Sequence, residues 1–413
     1  MAHLMPQFLP GGDALLFTIL KGFSAEQASI AVLSLKTGKW ETLIPDGANP
    51  HYIPGGYLVY ARNGSLMAVP FNLSTLKVTG SPVRVLADLM TNSEGGAAQF
   101  AFAPDGTMAY IAGKEAEAHR KLVLVDRGGK SQELTRAEGA YEDLDLSPDG
   151  HRIALTIQGP AWHIWIYDIP RGTLTRLTFD NDNRDPHWSS DGKRVAYTSI
   201  RNGKCGLYWR LADGSGAEEQ LVSDSPDCMT AESFSHDGRY LAYEITTPGN
   251  GHDIWILPLQ GERKPQPFAV ERFGEWSPAF SPEGHWLAYG SDESGRAEIY
   301  VRPFPGPGGK WQISTEGGDR AVWSREGSEL FYRNGIRLMA VPVDTKRGFA
   351  PGTPHLIWEG NYFASGHYFD VMPGAKRFVF IKEMAQLHGT TEIHVVLNWF
   401  DELKQRMAGQ KQH

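Results

Sequence analysis

Three features of this 413-residue sequence predict an all-β fold, a single β-propeller of four-stranded antiparallel blades. A Ser-Pro-Asp-Gly-like turn returns at a spacing in the forties. A short apolar strand follows each turn, and a third strand, often with an aromatic at its centre, follows that. Periods of this length with turn signals and β-rich segments are the mark of propeller blades.

The turn is clearest in LDLSPDGHRIALT (Leu144 to Thr156). Ser147 and Asp149 bond nearby backbone, Pro148 presets φ, and Gly150 accepts a positive φ. The closing glycines are Gly12, Gly55, Gly106, Gly150, Gly192, Gly238, Gly284, Gly327 and, in the weakest repeat, Gly374. They count nine repeats, or eight blades if the first or last is incomplete. The six turns from Gly150 onward are the most regular, so a six-plus-three division is the alternative grouping.

The second strand of each repeat reads RIALT, RVAYT, YLAYE or WLAYG. The third reads IAVLSL, LMAVPF, LVLVD, IWIYD, LYWRL, IWILPL, IYVRPF, LMAVPV and IHVVLNW, nine again and in register with the glycines. A shorter fourth strand follows in the first eight repeats. Phe102, Trp188, Phe234, Phe280 and Trp323 end the first strand and belong between blades, as do Trp165, Tyr208, Trp255 and Tyr300 in the third. The propeller is expected over residues 1–399. Residues 400–413 read as a polar tail or short helix whose removal leaves the fold intact. The ninth repeat lacks a fourth strand, so its blade is expected to stay three-stranded or to borrow a tail or a neighbouring chain.

Composition agrees. The 46 Gly and 26 Pro suit many turns, and a net charge of −8 gives no electrostatic footprint for nucleic acid. No apolar run reaches the roughly 18 residues of a membrane helix. MAHLMPQFLPGG has neither the basic nor the apolar region of a secretion signal. Cys205 and Cys228 are the only cysteines; they allow one bridge in an oxidising compartment and no zinc spacing.

The unit SPDG-x-R-x-A-Y…IW resembles the WD40-like (PD40) repeat of TolB-type β-propellers. SDESGRAEIYVRPFPGPGGKWQIST (Ser291 to Thr315) and IHVVLNWFDELK (Ile393 to Lys404) resemble the sensor region of acidobacterial-type serine/threonine protein kinases. In those proteins such repeats follow a kinase domain and a membrane helix, which implies an extracytoplasmic place and either a C-terminal fragment or a shortened stand-alone version. Kinase chemistry does not carry over: there is no Gly-rich phosphate loop, Val-Ala-Ile-Lys strand, His-Arg-Asp or Asp-Phe-Gly. A G-x-S-x-G elbow and an H-E-x-x-H helix are also missing.

The chemistry is therefore expected where the innermost strands converge on the channel. Four to six positions before the turn serine stand Glu142, Asp143, Arg184, Asp185, Glu275, Asp319, Arg320 and His367, the candidate ligand-binding set. Two positions before it come Gln7, His51, Asp145, His187 and Asp370. Converging carboxylates suit Ca²⁺, and added imidazoles suit another divalent metal. The candidate metal ligands are Asp143, Asp145, Asp185, His187, His51 and Asp370. Against this stands the plainer reading that strand ends at a watery channel simply carry polar groups. The function expected is a sensor-type propeller binding a small ligand or a protein at the channel mouth. The rival is a metal-dependent hydrolase of esters, lactones or phosphotriesters.

Overall fold

The computed structural model describes residues 2–20, 28–92, 96–113, 118–159, 161–247, 251–384 and 392–408. The chain divides into two compact units, Met1–Glu117 with Gln386–His413, and Ala118–Ala385.

In the first unit, Ala2–Phe8, Ala14–Leu20, Ala28–Ser34 and Trp40–Ile44 (β1 to β4) form a four-stranded antiparallel sheet. Ala48–Ile53, Tyr57–Arg62, Ser65–Asn72, Lys77–Val78 and Val83–Leu86 (β5 to β9) form the next, with β8 and β9 both paired to β7. Phe100–Phe102 and Met108–Tyr110 (β10, β11) open a third.

The chain then enters the second unit with Arg120–Asp126 and Ser131–Glu133 (β12, β13). Four sheets of four strands follow. They are Tyr141–Leu146, Arg152–Ile157, His163–Asp168 and Thr173–Arg176 (β14 to β17); Asp182–Trp188, Arg194–Arg201, Lys204–Leu211 and Glu219–Ser225 (β18 to β21); Cys228–Phe234, Tyr240–Thr247, Gly251–Pro258 and Gln266–Ala269 (β22 to β25); and Glu275–Phe280, Trp286–Ser291, Glu298–Pro303 and Trp311–Gln312 (β26 to β29). Asp319–Trp323, Glu329–Asn334, Arg337–Asp344, Ala350–Pro351 and His355–Glu359 (β30 to β34) make a five-stranded sheet. Phe369–Val371 and Arg377–Glu383 (β35, β36) end the unit. His394–Val396 (β37) and the helix Trp399–Ala408 (α1) belong to the first unit.

The all-β propeller class and its antiparallel blades hold, and the described residues form nine sheets for nine repeats. The single ring of nine is corrected. The third and ninth repeats exchange their outer strands: β12 pairs with β36 residue for residue, from Arg120 against Glu383 to Asp126 against Arg377, while β37 pairs with β11. The inner strands β14, β18, β22, β26, β30 and β35 lie each against the next, and β35 returns to β14. The second unit is thus a closed six-bladed ring, the smaller grouping read from the turns. The blade of the ninth repeat takes β12 and β13 as its outer strands, not a tail or a neighbouring chain.

The turn chemistry repeats as expected. Ser147 Oγ donates to Asp149 Oδ1 at 2.5 Å and accepts from the Arg152 N–H at 2.9 Å; Ser189 and Ser235 do the same with Asp191 and Asp237 and with the N–H groups of Arg194 and Tyr240. Gly150 has φ +72°, and a Cβ there would stand 2.8 Å from Pro373. The residues that end the inner strands fill the gaps between blades: Trp188, Phe280 and Trp323 are buried. The indole N–H groups of Trp188 and Trp323 donate across to the carbonyls of Asp145 and Ala279, at 3.1 and 3.0 Å.

The first unit carries the helix within its core. Trp399, Leu403 and Met407, one face at i, i+4 and i+8, are buried with Val59, Leu66, Leu89 and Met108. Residues 409–413 lie outside the described residues. No described helix is long and apolar enough to cross a membrane.

Candidate functional site

The site begins with a backbone irregularity shared by five of the six inner strands of the ring. Pairing slips by a residue between Tyr141 and Leu144, Arg184 and His187, Ala231 and Ser233, Trp276 and Ala279, and Asp319 and Ala321. A bulge bends the strand and re-aims the side chains around it. Asp185, Ser277 and Arg320 take left-handed φ values of 52°, 51° and 48° at these bulges. The bulges of β1 and β5 in the first unit carry the same conformation at Met5 and Asn49, with φ of 53° and 55°.

Charges from distant repeats come together near the axis of the ring. Arg320 Nη1 donates to Glu232 Oε2 at 3.2 Å across 88 residues of sequence. Burial, with the Asp143 charge beside it, pushes Asp185 up to about 8. Burial likewise raises Glu232 to about 8, against the pull of Arg320. Asp143 is also raised by burial; its Oδ1 accepts the His367 N–H at 3.2 Å. Gly366, at φ +62°, makes that approach possible, because a Cβ would stand 1.8 Å from the same oxygen.

One layer in, the residue two before the turn serine, or its equivalent, ties its blade to the next in three of the six ring blades. Asp145 Oδ2 accepts the Trp188 N–H at 2.7 Å, Asp370 Oδ2 accepts the Leu146 N–H at 3.1 Å, and Ser233 Oγ accepts the Phe280 N–H at 3.0 Å. In the first unit Gln7 Oε1 accepts the Tyr52 N–H at 2.7 Å, the same tie. Serine and glutamine serve as well as aspartate, so the charge of Asp145 is surplus to this structural task.

Asp145, His187 and His367 form a cluster whose nearest ligating atoms all lie within 4.8 Å of one another. His187 Nδ1 is 3.7 Å from Asp145 Oδ1, and its Nε2 is 3.4 Å from His367 Nδ1. The two rings stack at 4.8 Å between centroids and 24° between planes. Burial, with Arg320 nearby, lowers His187 to about 3 and drives His367 well below its ordinary value, so both imidazoles are neutral. His367 Nε2 is buried without a hydrogen-bond partner. These residues line a cavity of about 320 Å³ together with Glu232, His236, Arg320, Arg325 and Asp370.

Not every sequence candidate arrives. Glu142 turns away to pair with Arg120, whose guanidinium lies over Phe363. Arg184 stacks on Trp162 at 3.6 Å, although its charge still reaches Asp143 and Asp185. Glu275, raised to about 7 by burial, accepts the Glu271 N–H at 3.4 Å and does not line the cavity. Asp319 accepts the Trp276 indole N–H at 3.0 Å. His51 belongs to the first unit, where its ring edges against Phe100 and Phe102. Asp370 is held by the Leu146 and Val371 N–H groups and by Arg325 at 3.7 Å.

Sequence reasoning missed Glu232, His236 and Arg325. Glu232 stands three before its serine, between the two offsets considered, because the slip in β22 falls closer to the turn. His236 and Arg325 replace the turn proline in Ser-His-Asp-Gly and Ser-Arg-Glu-Gly. Those breaks in the repeat were the available signal. Cys205 and Cys228 are free thiols with sulfurs 2.9 Å apart.

Comparison with known proteins fits this geometry. Residues 185–346 match the family model described as the TolB beta propeller domain (PD40). The Tol-Pal system protein TolB of Wolinella succinogenes is 28% identical over 201 residues, 45% of this chain and 46% of that protein. An uncharacterized protein of Agrobacterium fabrum is 27% identical over 255 residues, 56% of this chain and 82% of its own length. Among solved structures, one assigned as TolB from Agrobacterium tumefaciens superposes with a TM-score of 0.54 at 15% identity, covering 66% of this chain and all of that one; it shows the fold alone. The chain has a β-propeller fold, and residues 185–346 of it match the TolB-type propeller domain. These matches support the TolB side of the resemblance and leave the kinase-sensor side as a resemblance.

Proposed function

We propose that this TolB-type propeller is a binding module whose central pocket receives a cationic segment of a protein partner. The observation that carries the reading is the charge balance at the end of the ring. Asp145, Glu232 and Asp370 line the pocket with Arg320 and Arg325, Asp143 and Asp185 are buried within reach of the Arg320 charge, and all five carboxylates are raised toward their protonated forms. A positive group entering the pocket restores ionisation and releases protons. Burial raises these carboxylates first, and neighbouring carboxylates add to it at Asp145, Asp185 and Glu232.

The Wolinella relative is named as a member of a protein system, which favours a protein over a small metabolite. The Bacillus subtilis relative, an uncharacterized peptidase, is matched over 31% of its length, so its activity does not transfer. The kinase-sensor resemblance supports an extracytoplasmic place.

The test is fluorescence anisotropy of the whole chain with cationic, neutral and anionic peptides of equal length. Cationic peptides should bind best, weaken with salt, and lose about tenfold in affinity on Glu232→Gln, in line with the loss of a buried charge partner worth about 1.5–3 kcal/mol. Equal binding of all three classes, or indifference to Glu232→Gln, would overturn the reading.

A further inference from the structure

We propose that Asp145, His187 and His367 bind a first-row transition-metal dication of the Zn²⁺ or Co²⁺ kind, with an open coordination position facing the pocket. The inference rests on the reading of that pocket as the binding site and names an ion that would take part.

Four observations converge. Two imidazoles and one carboxylate, from three separate stretches of chain, bring their ligating atoms within 4.8 Å of one another. The His187 Nε2 to His367 Nδ1 separation of 3.4 Å is close to the edge of a tetrahedron with metal–nitrogen bonds of about 2.0–2.1 Å, an edge of about 3.3 Å. His187 is buried, its Nε2 meets only the His367 Nδ1 among the hydrogen bonds of the described residues, and His367 Nε2 is buried with no hydrogen-bond partner, so the pair is bound to each other more than to the surrounding protein. Asp145 contributes a carboxylate where Ser233 and Gln7 make the equivalent tie without charge.

The supporting shell is that of a held site. Asp145 Oδ2 is fixed by the Trp188 N–H, leaving Oδ1 on the His187 side. The backbone of His367 is pinned on both sides, its N–H to Asp143 and its carbonyl to the Leu144 N–H at 2.6 Å. Such outer contacts orient first ligands. The rings stand 24° from parallel, so enclosing an ion requires one imidazole to turn about its Cβ–Cγ bond. All three residues line the cavity, which supplies the space and a route for a fourth ligand. Two nitrogen donors favour zinc, cobalt or nickel over calcium and magnesium, which take oxygen shells.

The test uses untagged, chelator-stripped whole chain titrated with Co²⁺ in the absorption spectrometer and with Zn²⁺ in the calorimeter. One equivalent should bind, giving ligand-field bands of low-symmetry cobalt that zinc displaces and a large calcium excess does not. His367→Ala should weaken zinc at least tenfold, with the metal-free protein still melting in one cooperative transition. His285→Ala, an exposed histidine of a surface turn, should bind as the wild type does. Equal affinity of wild type and the His187→Ala/His367→Ala double variant would overturn the proposal, as would calcium displacing cobalt. The titration uses metal alone, so its failure leaves the peptide measurements on Glu232 standing.

Discussion

In the second unit the first and last long strands, β12 and β36, pair with each other along their whole length and close six sheets into a ring. In the first unit the third sheet is assembled from β10, β11 and a strand, β37, that returns only after the whole second unit has been made. One repeat therefore serves two ends. Where the ring closes on itself, the inner-strand residues are free to be charged. In the first unit the corresponding positions are absorbed by structure: Asn49 bonds Thr18 and the Ala98 carbonyl, and His51 packs against Phe100 and Phe102. The apolar face of α1 completes the core there.

The largest test of this contrast is to separate the units. A fragment of residues 118–385 contains every strand of the six-bladed ring, including both partners of its closure. It should fold alone with a single cooperative transition by circular dichroism and calorimetry. A molten, uncooperative fragment would mean that β12 and β36 cannot close the ring unaided.

The next effect falls on the first unit. Trp399→Ala removes a buried anchor of α1 and should cost about 3–5 kcal/mol there. Amide exchange should rise in β10, β11 and β37 and stay slow in β35 and β36. Truncation before Trp399 should do the same or more. That result would reverse the sequence expectation that residues 400–413 are expendable.

Much of this was legible in the sequence because turns and strands are local. The glycine anchors, the serine–aspartate turns and the aromatics that end the inner strands all sit where their immediate neighbours require. Strand exchange was not legible, since LVLVD of the third repeat and IHVVLNW of the ninth look alike and either suits either sheet. The same limit applied to the site. Asp143, Asp145, Asp185, His187, Arg320 and His367 were within reach of a positional rule. Glu142 and Arg184 obeyed that rule, yet Arg120 and Trp162 draw their side chains aside. Those partners are fixed by packing, which leaves no periodic trace.

A smaller effect separates the charged centre from the rest by pH. Burial holds Glu232 at about 8, above an ordinary glutamate value of 4.5. The folded protein therefore keeps a proton that the unfolded chain gives up. Between about pH 4.5 and 8 the unfolded state binds fewer protons, so stability falls as pH rises. Denaturant midpoints across this window should decline in wild type and decline less in Glu232→Gln. An unchanged slope would show that Glu232 ionises freely and does not share in the charge strain of the pocket.

The smallest effect bears most directly on which acids are structural. Ser233 and Gln7 make the same blade-to-blade bond in the two units, so Ser233→Ala and Gln7→Ala should each cost about 0.5–1.5 kcal/mol, the net worth of one hydrogen bond. Asp145→Asn is different. Its amide oxygen still accepts the Trp188 N–H, and the buried charge beside Asp370 disappears, so stability should hold or rise slightly. The same substitution removes the only anionic group of the Asp145–His187–His367 cluster and should weaken zinc binding at least tenfold. Chemical denaturation and metal titration of one purified variant measure both quantities. If Asp145→Asn instead loses stability like Ser233→Ala and binds zinc unaltered, the aspartate is a tie and nothing more. If stability holds while metal affinity falls, the residue carries a charge that the fold does not require.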